Sequence, residues 1–402
     1  MSDWQDGWYR QEPGQHGTGQ VPSSAAGGGR AAWPEQPPAR RAPGLPATGR
    51  PGPTRPGSGR RRRFWGQPGR RGRRIALIAG LVVVVLVVAL VGSYFYLDSK
   101  LTRSVTLPVF SGQSAGQNWL IAGSDNRQGL SQQQIVSLHV GDDSGTENSD
   151  SLMLLHIGSG TPILISIPRD SYVPIPGHGD NKINAALGFG GPSLLIKTVE
   201  NVTGLQINHY MGIGFGGLVS VVNQVGGVTM CLPKALHDYD SGANIPAGCH
   251  NLDGAQALAV VRDRHSFADE DLQRIEDQRA FLKALLDKAT SPGVYLNPFV
   301  ALPFGSAAAS SISVDQGAHL SDLIKVALAL RNPQTGTVPV ADANYETPNA
   351  GDAVEWNRTE ALQLFNDLKN NQQVPANLLF GSDGDPRLLW DAARPSDAAP
   401  PQ

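Results

Sequence analysis

The sequence predicts an α/β or α+β sandwich carried behind a single transmembrane helix, and three observations lead there. Residues 75–97 contain no charged side chain and are dominated by Leu, Val and Ala. Beyond them, short apolar runs bounded by Gly, Pro and Asp turns mix with longer helical stretches, without a regular strand–helix–strand repeat. The stretch 118–380 is long enough to bury one large core.

The N-terminal arm, residues 1–74, carries 14 Arg and no Lys against four acidic residues, a balance of +10. The remainder carries −12, which leaves the net charge of −2. The arm is rich in Pro, Gly, Gln and Ser with few aliphatics, so it cannot bury a core and is expected to be disordered. At a rise of about 1.5 Å per residue, the run 75–97 is long enough to cross a bilayer core of about 30 Å. It lies too far into the chain, and is too long, for an ordinary cleaved signal peptide. Arg60, Arg61, Arg62, Arg63, Arg70, Arg71, Arg73 and Arg74 crowd one flank, whereas the other offers only Lys100 and Arg103. That asymmetry predicts a single-pass protein of the cell membrane with a cytoplasmic N-terminus and everything after Asp98 extracytoplasmic. Because the arginines abut the span, anionic headgroups are their nearer partner. With no helix-turn-helix pattern in the arm, no nucleic-acid partner is expected.

Residues 98–117 read as a tether. The domain then opens with a strand at 118–122 that ends in Gly123-Ser124-Asp125-Asn126-Arg127. A second strand is expected at 151–157 and a third at 162–167, separated by the turn Gly158-Ser159-Gly160-Thr161 and ended by Pro168-Arg169-Asp170. Helices are expected at 193–203 and 215–224, then a strand at 226–230, then helices at 253–261, 271–288, 320–330 and 358–370. Ser266 with Asp269 reads as the capping box of the fourth helix. No internal repeat is seen, and no separate C-terminal accessory domain is expected. The tail 381–402 is expected to be frayed, apart from a contact by Leu388, Leu389 and Trp390. Two cysteines, Cys231 and Cys249, both fall on the extracytoplasmic side, where an even count favours a disulfide over free thiols or a metal site.

Two charged constellations stand out. The tight turn after Ile157 makes the second and third strands antiparallel neighbours, which brings Asp150 and Arg169 to one end of the sheet. If the first strand is antiparallel to the second, Asp125 and Arg127 join them. Hard carboxylate oxygens beside arginines suit a divalent metal shared with an anion, although isolated aspartates more often cap turns. Further on, Arg262-Asp263-Arg264 is followed by Asp271, Arg274 and Gln278 at helical spacing, one face of donors suited to anionic oxygens. A solvated surface helix would carry similar residues.

At these residues the chain resembles the LytR-CpsA-Psr family of envelope glycopolymer transferases. The motifs are Gly123-Ser124-Asp125-Asn126-Arg127, Ser166-Ile167-Pro168-Arg169-Asp170, Lys182-Ile183-Asn184-Ala185, Gly226-Gly227-Val228 and Arg262-Asp263-Arg264 with Asp271, Arg274 and Gln278. The resemblance implies an α/β/α sandwich with a central mixed sheet and an apolar tunnel for a polyprenyl chain. It implies Mg²⁺ or Mn²⁺ on Asp125 and Asp150. A pyrophosphate would be held by Arg127, Arg169, Lys182, Arg262, Arg264, Asp271, Arg274 and Gln278, with Arg169, Arg262 and Arg264 catalytic. The implied reaction moves a glycopolymer of teichoic-acid or arabinogalactan type from a polyprenyl pyrophosphate carrier to a peptidoglycan hydroxyl. Asp150 or Asp170 is the candidate proton acceptor. Where the family often has Arg-Ser/Thr-Asp-Thr, this chain has Asn148-Ser149-Asp150-Ser151. Hydrolysis of the carrier, or binding of polyprenyl phosphates without turnover, would use the same residues.

Overall fold

The computed structural model describes residues 70–127, 130–141, 148–263 and 270–379, with backbone alone at 70–71 and 270–277. The chain divides into a unit Met1–Val84 and a unit Val85–Gln402. A 29-residue helix, Arg70–Asp98, realises the apolar run. At about 1.5 Å per residue it is roughly 43 Å long, and it is apolar enough to cross a membrane. Its Leu, Ile and Val side chains from Ile75 to Val91 are exposed.

In chain order the strands are β1 (Thr102–Val105), β2 (Gln117–Ser124), β3 (Ser149–Ile157), β4 (Ile163–Ile167) and β5 (Tyr172–Ile175). They continue with β6 (Gly179–Lys182), β7 (His209–Ile213), β8 (Val228–Leu232), β9 (Leu236–Asp238) and β10 (Ala243–Ile245). The last are β11 (Gly248–Leu252), β12 (Ile312–Asp315), β13 (Gln334–Thr337), β14 (Val340–Thr347) and β15 (Gly351–Trp356). Seven form the central mixed sheet in the order β1-β12-β7-β2-β3-β4-β13. β2 pairs antiparallel with β3 and β3 with β4, as the hairpin argument requires. The tether expectation is corrected at its centre: Thr102–Val105 is an edge strand parallel to β12, with Leu101 and Val105 buried.

Register and the period of two sort the core onto two faces. Trp119, Leu155 and Leu164 stand opposite one another across three strands. They bury against Ala309, Val326, Ala329, Leu282 and Leu286 from the helices Pro298–Ser311, Leu320–Ala329 and Glu270–Ala289. The next row, Leu120, Leu154 and Ile165, points to the other face and is fully buried. Helices Ala185–Thr203 and Arg358–Lys369 pack on each other and bury Leu195, Ile196, Leu364 and Phe365. Each such aliphatic side chain contributes about 1.5–3 kcal/mol on burial. The result is the α/β/α sandwich.

A smaller lobe grows from β7. Helix Phe215–Gln224, the ribbon β8–β11, the hairpin β9–β10 and helix Gly254–Arg262 share a core that includes Val222, Val228, Leu252, Ala257 and Val260. Asp253 caps the last helix, accepting from Gln256 N while the Gln256 side chain accepts from Asp253 N. Gly254 allows the two helices to touch, since a Cβ there would lie 2.5 Å from Val219 O. Cys231 and Cys249 face each other across β8 and β11 and form a disulfide.

Candidate active site

Strand direction gathers the site. The C-terminal ends of β2, β4 and β7 and the N-terminal end of β3 lie at one end of the sheet, because β2 is parallel to β7 and antiparallel to β3. Asp125 and Arg127 leave β2 there, Asp150 enters β3, Arg169 follows β4, and Phe215 follows β7. The β2 and β7 loops are tied by Phe215 N–H donating to Asn126 O at 3.0 Å. Gly214 permits the approach, since a Cβ would lie 2.8 Å from Asn126 O.

These loops open on a cleft of about 200 Å³ lined by Asp125, Arg127, Val140, Asp150, Phe215, Asp238, Asp240, Ser241 and Arg262. On one side, Arg127 donates to Val140 O through Nε at 3.0 Å and Nη2 at 2.6 Å. Arg262, the last residue of its helix, donates to Leu138 O and His139 O at 3.2 Å each and to Asp240 O at 3.4 Å. Its guanidinium also lies 5.1 Å from the centre of the Phe215 ring. Neutral backbone oxygens thus hold both cations in position.

Across the cleft, Asp125 exchanges two bonds with Asn148: Asn148 N donates to Asp125 Oδ1 at 2.7 Å, and Asp125 N to Asn148 O at 3.1 Å. Both use the backbone of residue 148, and the Asn148 side chain bonds the same carboxylate. Burial pushes the Asp125 carboxyl above the usual carboxylate range, and the charge of Asp150 pushes the same way against Asn148 and Arg127. Arg169 bridges outward, from Nη1 to Asp150 Oδ1 at 3.1 Å and from Nε to Asp170 Oδ2 at 3.1 Å. Lys182 closes the relay on Asp170 Oδ1 at 3.4 Å. It is returned there by the β5–β6 hairpin, in which it pairs with Tyr172.

The sequence-derived residues therefore separate. Asp125, Arg127, Asp150 and Arg262 share the cleft, and Arg169 and Lys182 stand behind Asp150. Gln278 is buried, with its amide 3.5 Å from Val261 O, and does not line the cleft. Arg264, Ser266 and Asp269 lie outside the described residues, as do the side chains of Asp271 and Arg274. Phe215, Asp238, Asp240 and Ser241 were not singled out from the sequence. The aspartates' only local signal is their place between the two cysteines.

Could the carboxylates hold a metal? Among the described residues no cluster of three or more His, Cys, Asp or Glu forms a ready-made cage. Asp125 and Asp150 nevertheless fit a hard dication chemically, because the charge of Asp150 disfavours the charged form of Asp125 and both offer oxygen donors.

The sequence model of the LytR-CpsA-Psr family matches residues 94–370. The chain belongs to that family. It is 44% identical over 316 residues to the probable cell wall biosynthesis protein LcpB of Corynebacterium glutamicum, spanning 76% of this chain and 75% of that protein. It is 32% identical over 228 residues to the polyisoprenyl-teichoic acid–peptidoglycan teichoic acid transferase TagU of Enterococcus faecalis, spanning 55% and 73% of the two chains. Among solved structures it matches the LytR-Csp2A-Psr enzyme from Actinomyces oris with a TM-score of 0.53 at 21% identity, over 67% of this chain and 96% of that one. It matches Bacillus subtilis TagV with a TM-score of 0.51 at 22% identity, over 65% and 100%. At such identities the structural likeness speaks for the LytR-CpsA-Psr fold alone.

Proposed function

We propose that this chain is a cell-wall glycopolymer transferase that moves a polymer from a polyprenyl pyrophosphate carrier to a hydroxyl of peptidoglycan. The observation that carries the reading is the cleft itself. Arg127 and Arg262 are braced by backbone oxygens on one side, and the Asp125–Asp150 pair lies on the other. The family relatives named for cell-wall biosynthesis and teichoic acid transfer support the same class.

In this reading the acceptor oxygen forms a bond to the phosphorus that carries the polymer, while the bond from that phosphorus to the bridging oxygen breaks. Polyprenyl phosphate leaves, and a phosphodiester remains. Negative charge spreads over the phosphoryl oxygens as the bridge opens, so cations already in place lower the barrier without reorganising. Arg127 and Arg262 fill that role. Arg169 holds both Asp150 and Asp170 in position, and one of these two carboxylates accepts the hydroxyl proton. Asp125 and Asp150 would hold Mg²⁺ or Mn²⁺, which supplies further neutralisation of the pyrophosphate.

The test is transfer by the detergent-solubilised full chain from a polyprenyl-pyrophosphate oligosaccharide to peptidoglycan fragments. Polymer should appear on peptidoglycan in a Mg²⁺-dependent manner. Arg262→Ala should lower turnover about 100-fold, and Arg262→Lys should recover only part, because a point charge lacks the planar fork. Free polymer with no peptidoglycan adduct would make the chain a hydrolase. Undiminished transfer by an Arg127→Ala, Arg262→Ala double variant would remove the cleft from the chemistry.

A further inference from the structure

Between Lys288 and Asp315 the chain has no charged residue, and nothing in the cleft uses that stretch. It forms a short turn of helix, Pro292–Tyr295, and the helix Pro298–Ser311. Its first half is apolar yet faces outward: Tyr295 is 58% exposed, Leu296 70% and Phe299 88%, and Leu302 is exposed as well. A contiguous patch of this kind marks an interaction surface.

Its neighbour identifies the partner. The last turns of helix Arg70–Asp98 present Ser93, Tyr94, Leu97 and Asp98 as a partly shielded face, whereas residues 85–92 are exposed. Leu97 lies against Gly305, where a Cβ would sit 3.1 Å from Leu97 Cδ1. Asp98 is fastened to the domain: Leu320 N donates to its Oδ1 at 2.8 Å, and Arg103 donates to its Oδ2 at 2.7 Å and its backbone oxygen at 3.0 Å. Two contacts then place helix Pro298–Ser311 beside the end of the preceding helix. Thr102 pairs with Ser313 in the sheet, and Leu97 faces Gly305. Phe299 stands six residues, about 9 Å of helix rise, from that contact with the end of the preceding helix.

We propose that residues 295–302 form a second membrane contact, seated in the interface of the leaflet at which helix Arg70–Asp98 ends. This rests on that helix spanning the bilayer, and it is independent of the reaction in the cleft. Tyr295 and Phe299 are the residue types that suit the boundary between acyl chains and headgroups, and the absence of charge removes the main cost of insertion. Attachment at two points would fix the tilt of the domain against the bilayer, which one helix alone would leave free.

The test uses the full chain in phosphatidylcholine–phosphatidylglycerol vesicles, with nitroxide labels on single-cysteine variants. Among the described residues the only native cysteines are bonded to each other. Labels at Leu296→Cys and Phe299→Cys are compared with Val83→Cys in the span and Ala343→Cys on exposed β14. Collision with dissolved oxygen should exceed collision with a nickel chelate at 296 and 299, as at 83 and severalfold more than at 343. If 296 and 299 are as open to nickel as 343 while 83 remains lipid-like, the second contact does not exist. Exclusion of both reagents with dipolar broadening between labels would show a second copy on this face and would equally overturn the proposal. An aqueous signature at 83 would overturn the spanning helix and this contact together.

Discussion

Glu200 sits in helix Ala185–Thr203 with 2% exposure, accepting the Ile207 N–H on Oε1 at 3.0 Å. Burial raises its pKa from the ordinary 4.5 to about 7, against the lowering effect of that bond. Between those values the native protein keeps a proton that the unfolded chain has released, so stability falls as pH rises from about 4.5 to 7 and stays reduced above. The full difference is on the order of 3 kcal/mol. Glu200→Gln keeps an acceptor for Ile207 without the charge. It should unfold at a higher temperature than wild type at pH 8 and at the same temperature at pH 4, by calorimetry of the solubilised chain. Buried His156, whose pKa burial lowers, acts in the opposite sense and cancels in that comparison. Coincident curves across the range would mean that Glu200 is not held as a neutral acid. Arg279 teaches a different lesson about single residues. It lies next to Gln278 but is buried, bonding Ser166 Oγ at 3.0 Å, Thr337 Oγ1 at 2.9 Å and Gly336 O. Sequence spacing placed donors on one helix face without distinguishing a cation for the cleft from one that ties this helix to β4 and β13.

At the scale of elements, local pairings were legible and distant ones were not. The β3–β4 turn announces itself within a few residues, and the Asp125–Asp150 juxtaposition follows from strand direction. β1 escaped notice because four residues without turn signals pair with β12, more than 200 positions away. Helix Ala185–Thr203 begins earlier than its pattern suggests, because it is two segments broken at Gly190 and Gly191, with Pro192 opening the second. Phe215, Asp238 and Asp240 reach the cleft on elements whose positions depend on the whole lobe. The disulfide has more consequence there than its spacing alone suggests. It closes the excursion that carries β9 and β10, and with them Asp238, Asp240 and Ser241 of the cleft wall. The Cys231→Ser, Cys249→Ser double variant should lose about 2–5 kcal/mol of stability. It should also exchange amide hydrogens faster across 236–245 and weaken the hold of Asp240 O on Arg262. Hydrogen exchange by mass spectrometry checks this directly. Unchanged protection of 236–245 would show that packing alone maintains that wall.

For the whole molecule, what decides where the cleft works is the orientation of one helix. Charge asymmetry argues for a cytoplasmic arm: 14 arginines precede Ile75, against Lys100 and Arg103 just beyond Asp98. The asymmetry lies in the basic residues themselves, with Arg60, Arg61, Arg62, Arg63, Arg70, Arg71, Arg73 and Arg74 on one flank. A disulfide in the domain agrees with an oxidising compartment on that side. The family's cell-wall relatives make the same side the useful one, since peptidoglycan lies outside the membrane. Protease added to intact cells from which the wall has been removed should therefore digest the domain after Asp98. An epitope placed near Met1 should survive until the membrane is permeabilised. Loss of the epitope with survival of the domain would place the cleft in the cytoplasm, away from any peptidoglycan acceptor, and the transfer reaction would have to be abandoned even if the purified chain bound polyprenyl pyrophosphate.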